Sequence, residues 1–278
     1  QKIRKENLLF MNTYIKRAFA LAALASVCLF AAGCGNTDST GSTPKEKKEI
    51  TIGVTPGPHA DIMEQVKKEA AKQGIMIKIM EFSDYVTPDV ALSNKEIDMN
   101  SYQHKPYMDN LVKDKGLKIT AIGQTIIAPI GLYSHKIKSL DEVKESDTVA
   151  VPNDPTNGAR GLLLLQKAGF IKIQDGVTYP TVTDITENKK NLKIKELDAA
   201  QIPRSLDDVT FAAVNTNYAL DAGLNPVTDA LLREDKDSPY ANILAVHEDD
   251  KDNPTLKKIV EIYHSDVIKN YITDHYKG

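Results

Sequence analysis

Residues 148–168 read TVAVPNDPTNGARGLLLLQKA, and this stretch decides the fold. Its first five residues, TVAVP, are a β-branched apolar run of strand length with no polar alternation, as in a strand covered on both faces. A loop rich in Pro, Asn and Gly follows, and a helix is expected from about Asn157 to Ala168. Strand, loop and helix in that order make a unit whose next strand returns parallel to the first.

The same grammar extends in both directions. Upstream, ITIGV (50–54) is a buried strand, and Pro58 and His59 open a helix through Gln73 with Gly74 as its stop. Ile62, Val66 and Ala70 recur there at helical spacing. IMIKIM (75–80) is a second strand, and Pro88 begins the short helix DVALSN. A strand near Asp98–Ser101 and a helix from Pro106 to Lys115 come next, then the strands KITAIG and TIIAPIGLYS within 118–134. Downstream lie strands at Leu192–Leu197, at FAAVN (211–215) leading into NTNYALDAG, and at ANILAVHE (241–248). Two amphipathic helices, Pro254–His264 and Asp266–His275, close the chain. Such alternation in two halves predicts an α/β protein with two sheets flanked by helices. Its loops at the strands' carboxyl ends would face each other across a cleft.

Polar residues concentrate where those loops fall. Arg160 stands at the expected helix start, where free N–H groups and the helix dipole favour an anion. A guanidinium there can grip both oxygens of a carboxylate, although an Arg at a helix start also commonly turns to solvent. Tyr85, Tyr102 and Tyr107 lie close together at strand ends and helix starts within 81–107. They are either core aromatics or one wall of a pocket. His104 stands among them, but the six histidines never occur as HxH or HxxxH, so no metal site is expected. Asn215 at a strand exit and Asn242 beside a Pro–Tyr turn are either capping amides or ligand contacts.

The N-terminus has a different character. From Met11 the chain reads MNTYIKRAFALAALASVCLFAAGC, with Lys16 and Arg17 ahead of an apolar run from Ala18 to Ala32. That run is too short to span a membrane and suits a signal peptide. Ala31, Ala32 and Gly33 lead into Cys34, which resembles the lipobox of bacterial lipoproteins, where the Cys receives a diacylglycerol. Residues 1–33 are therefore read as an upstream extension and signal peptide. Residues 34–48, rich in Gly, Ser, Thr, Pro and Lys, are read as a flexible tether. Cleavage before Cys34 removes five Lys/Arg and one Glu, taking the net charge from −3 to −7. An acidic body argues against a nucleic-acid surface. Its single remaining cysteine excludes an internal disulfide. GxSxG, GxxxxGKS, HExxH and GxGxxG are all absent, so no catalytic residues and no cofactor are indicated.

Several long strings carry a specific resemblance: EFSDY through NSYQHKPY (81–107), VAVPNDPTNGARGLLLLQKAG (149–169), IPRSLDDV (202–209), NTNYA (215–219) and EDKDSPYANI (234–243). Together they resemble the NlpA family of methionine-binding lipoproteins, the substrate-binding components of methionine ABC importers. The resemblance implies a two-lobed periplasmic-binding-protein fold, type II-like, each lobe a mixed, mainly parallel sheet. Lobe 1 would be 49–127 plus 241–278 and lobe 2 would be 128–240, hinged near Ile127–Pro129 and near Asp237–Tyr240. Tyr85, Tyr102, His104 and Tyr107 would cage a thioether side chain. Arg160 would hold the carboxylate, and Asn215 and Asn242 would bond the ammonium and carboxylate ends. Position 102 is Tyr where the family usually has Phe, adding a hydroxyl that must find a partner. The implied partners are L-methionine, a permease with its ATPase, and the membrane through lipidated Cys34, for a monomer on the extracytoplasmic face. A methionine-containing dipeptide or another amino acid is the alternative ligand. A metal receptor and a lipid-anchored hydrolase are the more distant readings.

Overall fold

The structure is a computed structural model that describes residues 49–235 and 237–276. The expected signal peptide, tether and lipidated Cys34 lie outside the described residues. The chain begins with β1 (Glu49–Val54), α1 (Pro58–Ala71), β2 (Met76–Glu81), α2 (Thr87–Ser93), β3 (Met99–His104), α3 (Lys105–Lys115) and β4 (Ile119–Ile127). It continues through β5 (Gly131–Tyr133), β6 (Thr148–Pro152), α4 (Pro155–Lys167), β7 (Ile171–Ile173), β8 (Ile185–Asn188) and β9 (Lys193–Leu197). Then come β10 (Phe211–Val214), α5 (Thr216–Asp221), β11 (Leu232–Arg233), β12 (Ala241–His247), α6 (Pro254–Tyr263) and α7 (Asp266–Tyr276).

Two five-stranded sheets result, ordered β2-β1-β3-β12-β4 and β11-β5-β10-β6-β9. In the first, β1 runs parallel to β2 and β3, while β12 is antiparallel to β3 and β4. The second repeats this arrangement: β6 is parallel to β9 and β10, while β5 is antiparallel to β10 and β11. Strands joined through helices account for the parallel part, since a parallel return needs a long crossover. β5 and β12 instead enter their sheets directly from the segments that pass between the sheets, at Ala128–Ile130 and at 234–240. Each sheet is therefore mixed.

The apolar runs are buried on both faces, as their composition predicts. Ile50, Ile52, Val54, Leu244 and Val246 meet Ile62, Met63 and Val66 of α1 and Leu256, Ile259 and Ile262 of α6 on one face of the first sheet. Ile243 and Ala245 meet Leu92 of α2 and Met108 of α3 on the other. In the second sheet Val149, Val151 and Phe211 pack on Leu162 and Leu165 of α4, and Ala150, Ala212 and Val214 pack on Ile202, Leu206 and Tyr218. The period-2 alternation sorts neighbouring residues to opposite faces.

Several boundaries differ from the sequence expectation. The helix expected to reach Gln73 ends at Ala71, and Gly74 exits with φ of 77°. β4 runs unbroken through the gap expected between KITAIG and TIIAPIGLYS; the break falls at Ala128–Ile130, where Pro129 offers no N–H to a ladder. α4 starts at Pro155, capped by the Asp154 side chain. Arg160 thus stands two residues further into the helix than expected, in its second turn rather than its first. Gly158 sets how closely this helix approaches its strand, because a Cβ there would lie 2.7 Å from the Pro152 carbonyl oxygen.

Candidate ligand-binding cleft

All seven residues singled out from the sequence, Tyr85, Tyr102, His104, Tyr107, Arg160, Asn215 and Asn242, line one narrow cavity between the sheets. Gln103, Ala128, Asn157, Thr216 and Asn217 complete the lining.

One wall is aromatic and comes from the first-sheet side. Tyr102 and His104 sit at the end of β3, Tyr107 in the first turn of α3, and Tyr85 in the loop before α2. Ring centroids of Tyr85 lie 5.8 Å from both Tyr102 and Tyr107, tilted and edge-on respectively, within the range favoured by aromatic pairs. Tyr218 stacks behind Tyr85 at 4.9 Å. The extra hydroxyl of Tyr102 has a partner: it donates to the Tyr85 carbonyl at 2.5 Å. Burial raises the Tyr85, Tyr102 and Tyr107 hydroxyls above their ordinary pKa, so all three remain protonated donors.

His104 joins the two walls. Its Nδ1 accepts the Tyr107 backbone N–H at 3.1 Å and so caps α3. The ring proton is therefore on Nε2, which donates to Asn157 Oδ1 at 3.1 Å. Burial and the Arg160 charge push its pKa down to about 3, keeping the ring neutral. Both ring nitrogens thus have protein partners. Among the described residues no cluster of three His, Cys, Asp or Glu could hold a metal ion.

The other wall is polar. Asn157 Nδ2 is held by the Asp154 carboxylate, which turns Oδ1 toward the cleft residues. That oxygen accepts from His104, from Arg160 Nη1 at 3.2 Å and from Asn215 Nδ2 at 3.1 Å. Asn215 holds the N-cap position of α5, yet its side chain makes no capping bond, and its buried Oδ1 has no partner. Asn242 donates from Nδ2 to His59 Nε2 and the Tyr102 carbonyl.

Arg160 is 2% exposed and does not turn to solvent. Its Nε and Nη2 donate to the two carboxylate oxygens of Glu234 at 2.9 and 2.5 Å, and Nη2 also donates to the Ala128 carbonyl. The Tyr240 ring lies 4.5 Å from the guanidinium carbon. Of five guanidinium donors, one Nη1 hydrogen remains for a ligand. Glu234, Asn157, Asn217 and Tyr240 escaped the sequence reading. Asn157 lay within the loop that flagged Arg160, whereas Glu234 sits in the acidic run EDKD with nothing to distinguish it from a solvated face.

Four contacts close the cleft from side to side. Tyr85 donates its hydroxyl to Asn217 Oδ1 at 2.5 Å, and Asn217 Nδ2 reaches Thr55 Oγ1. Tyr218 donates to the Ser83 carbonyl, and His104 meets Asn157. An aromatic wall opposite Arg160 and an unpaired amide oxygen suits a small zwitterion with an apolar side chain.

A family model for NlpA lipoproteins matches residues 50–278, all but the first of the described residues. The chain belongs to the NlpA lipoprotein family. It is 48% identical over 256 residues to a D-methionine-binding lipoprotein, MetQ, of Salmonella typhi, covering 91% of this chain and 92% of that one. A nutrient-binding protein from Burkholderia cenocepacia, solved bound to methionine, aligns with 48% identity and a TM-score of 0.80, covering 82% of this chain and 97% of the other. A periplasmic substrate-binding protein of an ABC transporter from Coxiella burnetii aligns with 46% identity and a TM-score of 0.78, over 81% and 96%. The expected two-lobed substrate-binding α/β fold is thus the fold of this NlpA lipoprotein, and its relatives are binding proteins rather than enzymes. No helix among the described residues is long and apolar enough to cross a membrane.

Proposed function

We propose that this NlpA lipoprotein captures methionine in the cleft and delivers it to an ABC importer. The observation that carries the reading is the pairing of the tyrosine wall with the Arg160–Asn157–Asn215 network across one buried cavity. The thioether would lie against Tyr85, Tyr102, His104 and Tyr107. The carboxylate would take the Nη1 hydrogen of Arg160, and the ammonium would donate to Asn215 and Asn242. Each ligand charge then finds a partner on burial, without which enclosure would be costly.

The lobes of this reading are 49–127 with 241–278, and 128–240, hinged at the two segments that pass between the sheets. Strand membership supports that division. Closure would be a hinge motion favoured by ligand contacts to both lobes. Cys34, bearing a diacylglycerol, would anchor the monomer at the extracytoplasmic face of the cell membrane, and residues 34–48 would keep it near its permease and ATPase.

Calorimetry with L-methionine, D-methionine, Gly-Met and glutamine tests the ligand assignment. Saturable binding of a methionine enantiomer, tighter than of Gly-Met or glutamine, is expected. Tighter binding of Gly-Met would make this a dipeptide receptor, and no binding of any of the four would overturn the reading.

A further inference from the structure

His59 is the second residue of α1 and does not line the cleft. It is 2% exposed, and its Nδ1 is buried without a hydrogen-bond partner. A buried polar atom left unpaired is destabilising and calls for a reason. The reason lies in Asn242, whose amide nitrogen is within 3.4 Å of the Tyr102 carbonyl and 3.2 Å of His59 Nε2. A carbonyl only accepts, so the Asn242 atom facing Tyr102 is the NH2 group. His59 Nε2, facing the same group, must then accept as well. The ring proton is forced onto Nδ1, the atom without a partner. Asn242 Oδ1 is used by neither contact and belongs to a residue lining the cleft.

We infer that His59 is a positioning residue for the ligand site: its neutral Nδ1–H tautomer fixes the Asn242 amide so that Oδ1 is presented to the ligand ammonium. This rests on the proposed role of Asn242. The unpaired Nδ1–H is the consequence of reserving Nε2 as an acceptor, a local cost tolerated next to a functional group. Burial supports the neutral form by pushing the His59 pKa down to about 4.

The test uses the full chain and the tighter-binding methionine enantiomer. Gln reaches the Nε2 position with an acceptor, whereas Asn reaches only the Nδ1 position. His59→Gln is expected to bind within about threefold of wild type, and His59→Asn to bind at least about tenfold more weakly, a difference of about 1.4 kcal/mol. In an Asn242→Ala background the His59→Asn loss should vanish, which a merely structural defect would not do. Wild-type affinity of His59→Asn, or an undiminished loss in that background, overturns the inference while leaving the ligand site intact. Wild-type affinity of Asn242→Ala alone overturns both. The 15N spectrum of the wild-type His59 imidazole tests the tautomer without requiring any variant to fold: a proton on Nδ1 is expected, and one on Nε2 refutes the assignment.

Discussion

The aromatic wall of the cleft comes from one short segment, Tyr85 to Tyr107, whereas the polar wall joins Arg160 to Glu234 across 74 residues of sequence. The first is held by packing and by bonds to nearby backbone, such as Tyr102 to the Tyr85 carbonyl and His104 to the Tyr107 N–H. The second is one network in which Asn157 Oδ1 serves three donors and Glu234 serves the guanidinium and the Ile130 N–H. Substitutions should therefore be local in effect on one wall and cooperative on the other.

Arg160→Ala is the largest test of that contrast. It removes the cationic partner proposed for the ligand and leaves the Glu234 side chain, only 13% exposed, without its counter-charge. Methionine affinity should fall by about 2–5 kcal/mol, about 30-fold or more, read by calorimetry. The melting temperature should fall too, because removing one partner of a buried pair strands the other. Unchanged affinity would take Arg160 out of the site.

Asn157→Ala comes next. It removes no charge, yet it deprives His104, Arg160 and Asn215 of their shared acceptor. Each buried donor left unpaired costs about 1–3 kcal/mol, and the three are not additive. The expected result is weaker methionine binding together with lower thermal stability. If Asn157→Ala proves no more costly than Tyr107→Phe, the polar wall is not a network.

The same contrast explains how much could be read from the chain alone. Strand–helix alternation and the tyrosine cluster are local patterns, so both sheets apart from β11, and the grouping of the three tyrosines, were legible. β7, β8 and β11 were not, being two to four residues long and too short for a period to register. The Arg160 reading was incomplete. Helix-start chemistry pointed to an anion site, yet Glu234 occupies the forked edge of the guanidinium, and only tertiary structure brings it there. Asn215 resolves the other way: it holds a capping position, but its side chain serves the cleft.

One buried carboxyl group, Asp89, adjoins the aromatic wall, and pH should expose it. Asp89 is fully buried, with Asn100 and Gln103 of β3 donating to Oδ1. Burial raises its pKa to about 7, above the unfolded value near 3.8. Between those values the native state holds a proton the unfolded chain has released, so this group's contribution to stability falls as pH rises from about 4 to 7. His59 and His104, lowered to about 4 and about 3, act oppositely, since the unfolded chain holds their protons below pH 6.5. Their contribution is lost as pH drops below about 6.5. Asp89→Asn should therefore leave only the rising histidine slope, seen as a steeper gain in melting temperature from pH 4 to 6.5 than in wild type. An identical profile would mean that Asp89 is ionised throughout.

Tyr102→Phe is the smallest expected change and tests the aromatic wall alone. It deletes one hydroxyl, which donates to the Tyr85 carbonyl in the loop that carries the neighbouring ring. An intramolecular hydrogen bond is worth about 0.5–1.5 kcal/mol net, which bounds the loss in urea unfolding. The ring itself stays, so methionine affinity should stay within about threefold of wild type, less than about 1 kcal/mol. A larger loss of affinity without a matching loss of stability would mean that the hydroxyl acts on the ligand by holding Tyr85. The aromatic wall would then be coupled like the polar one, and the distinction between the two walls would fail.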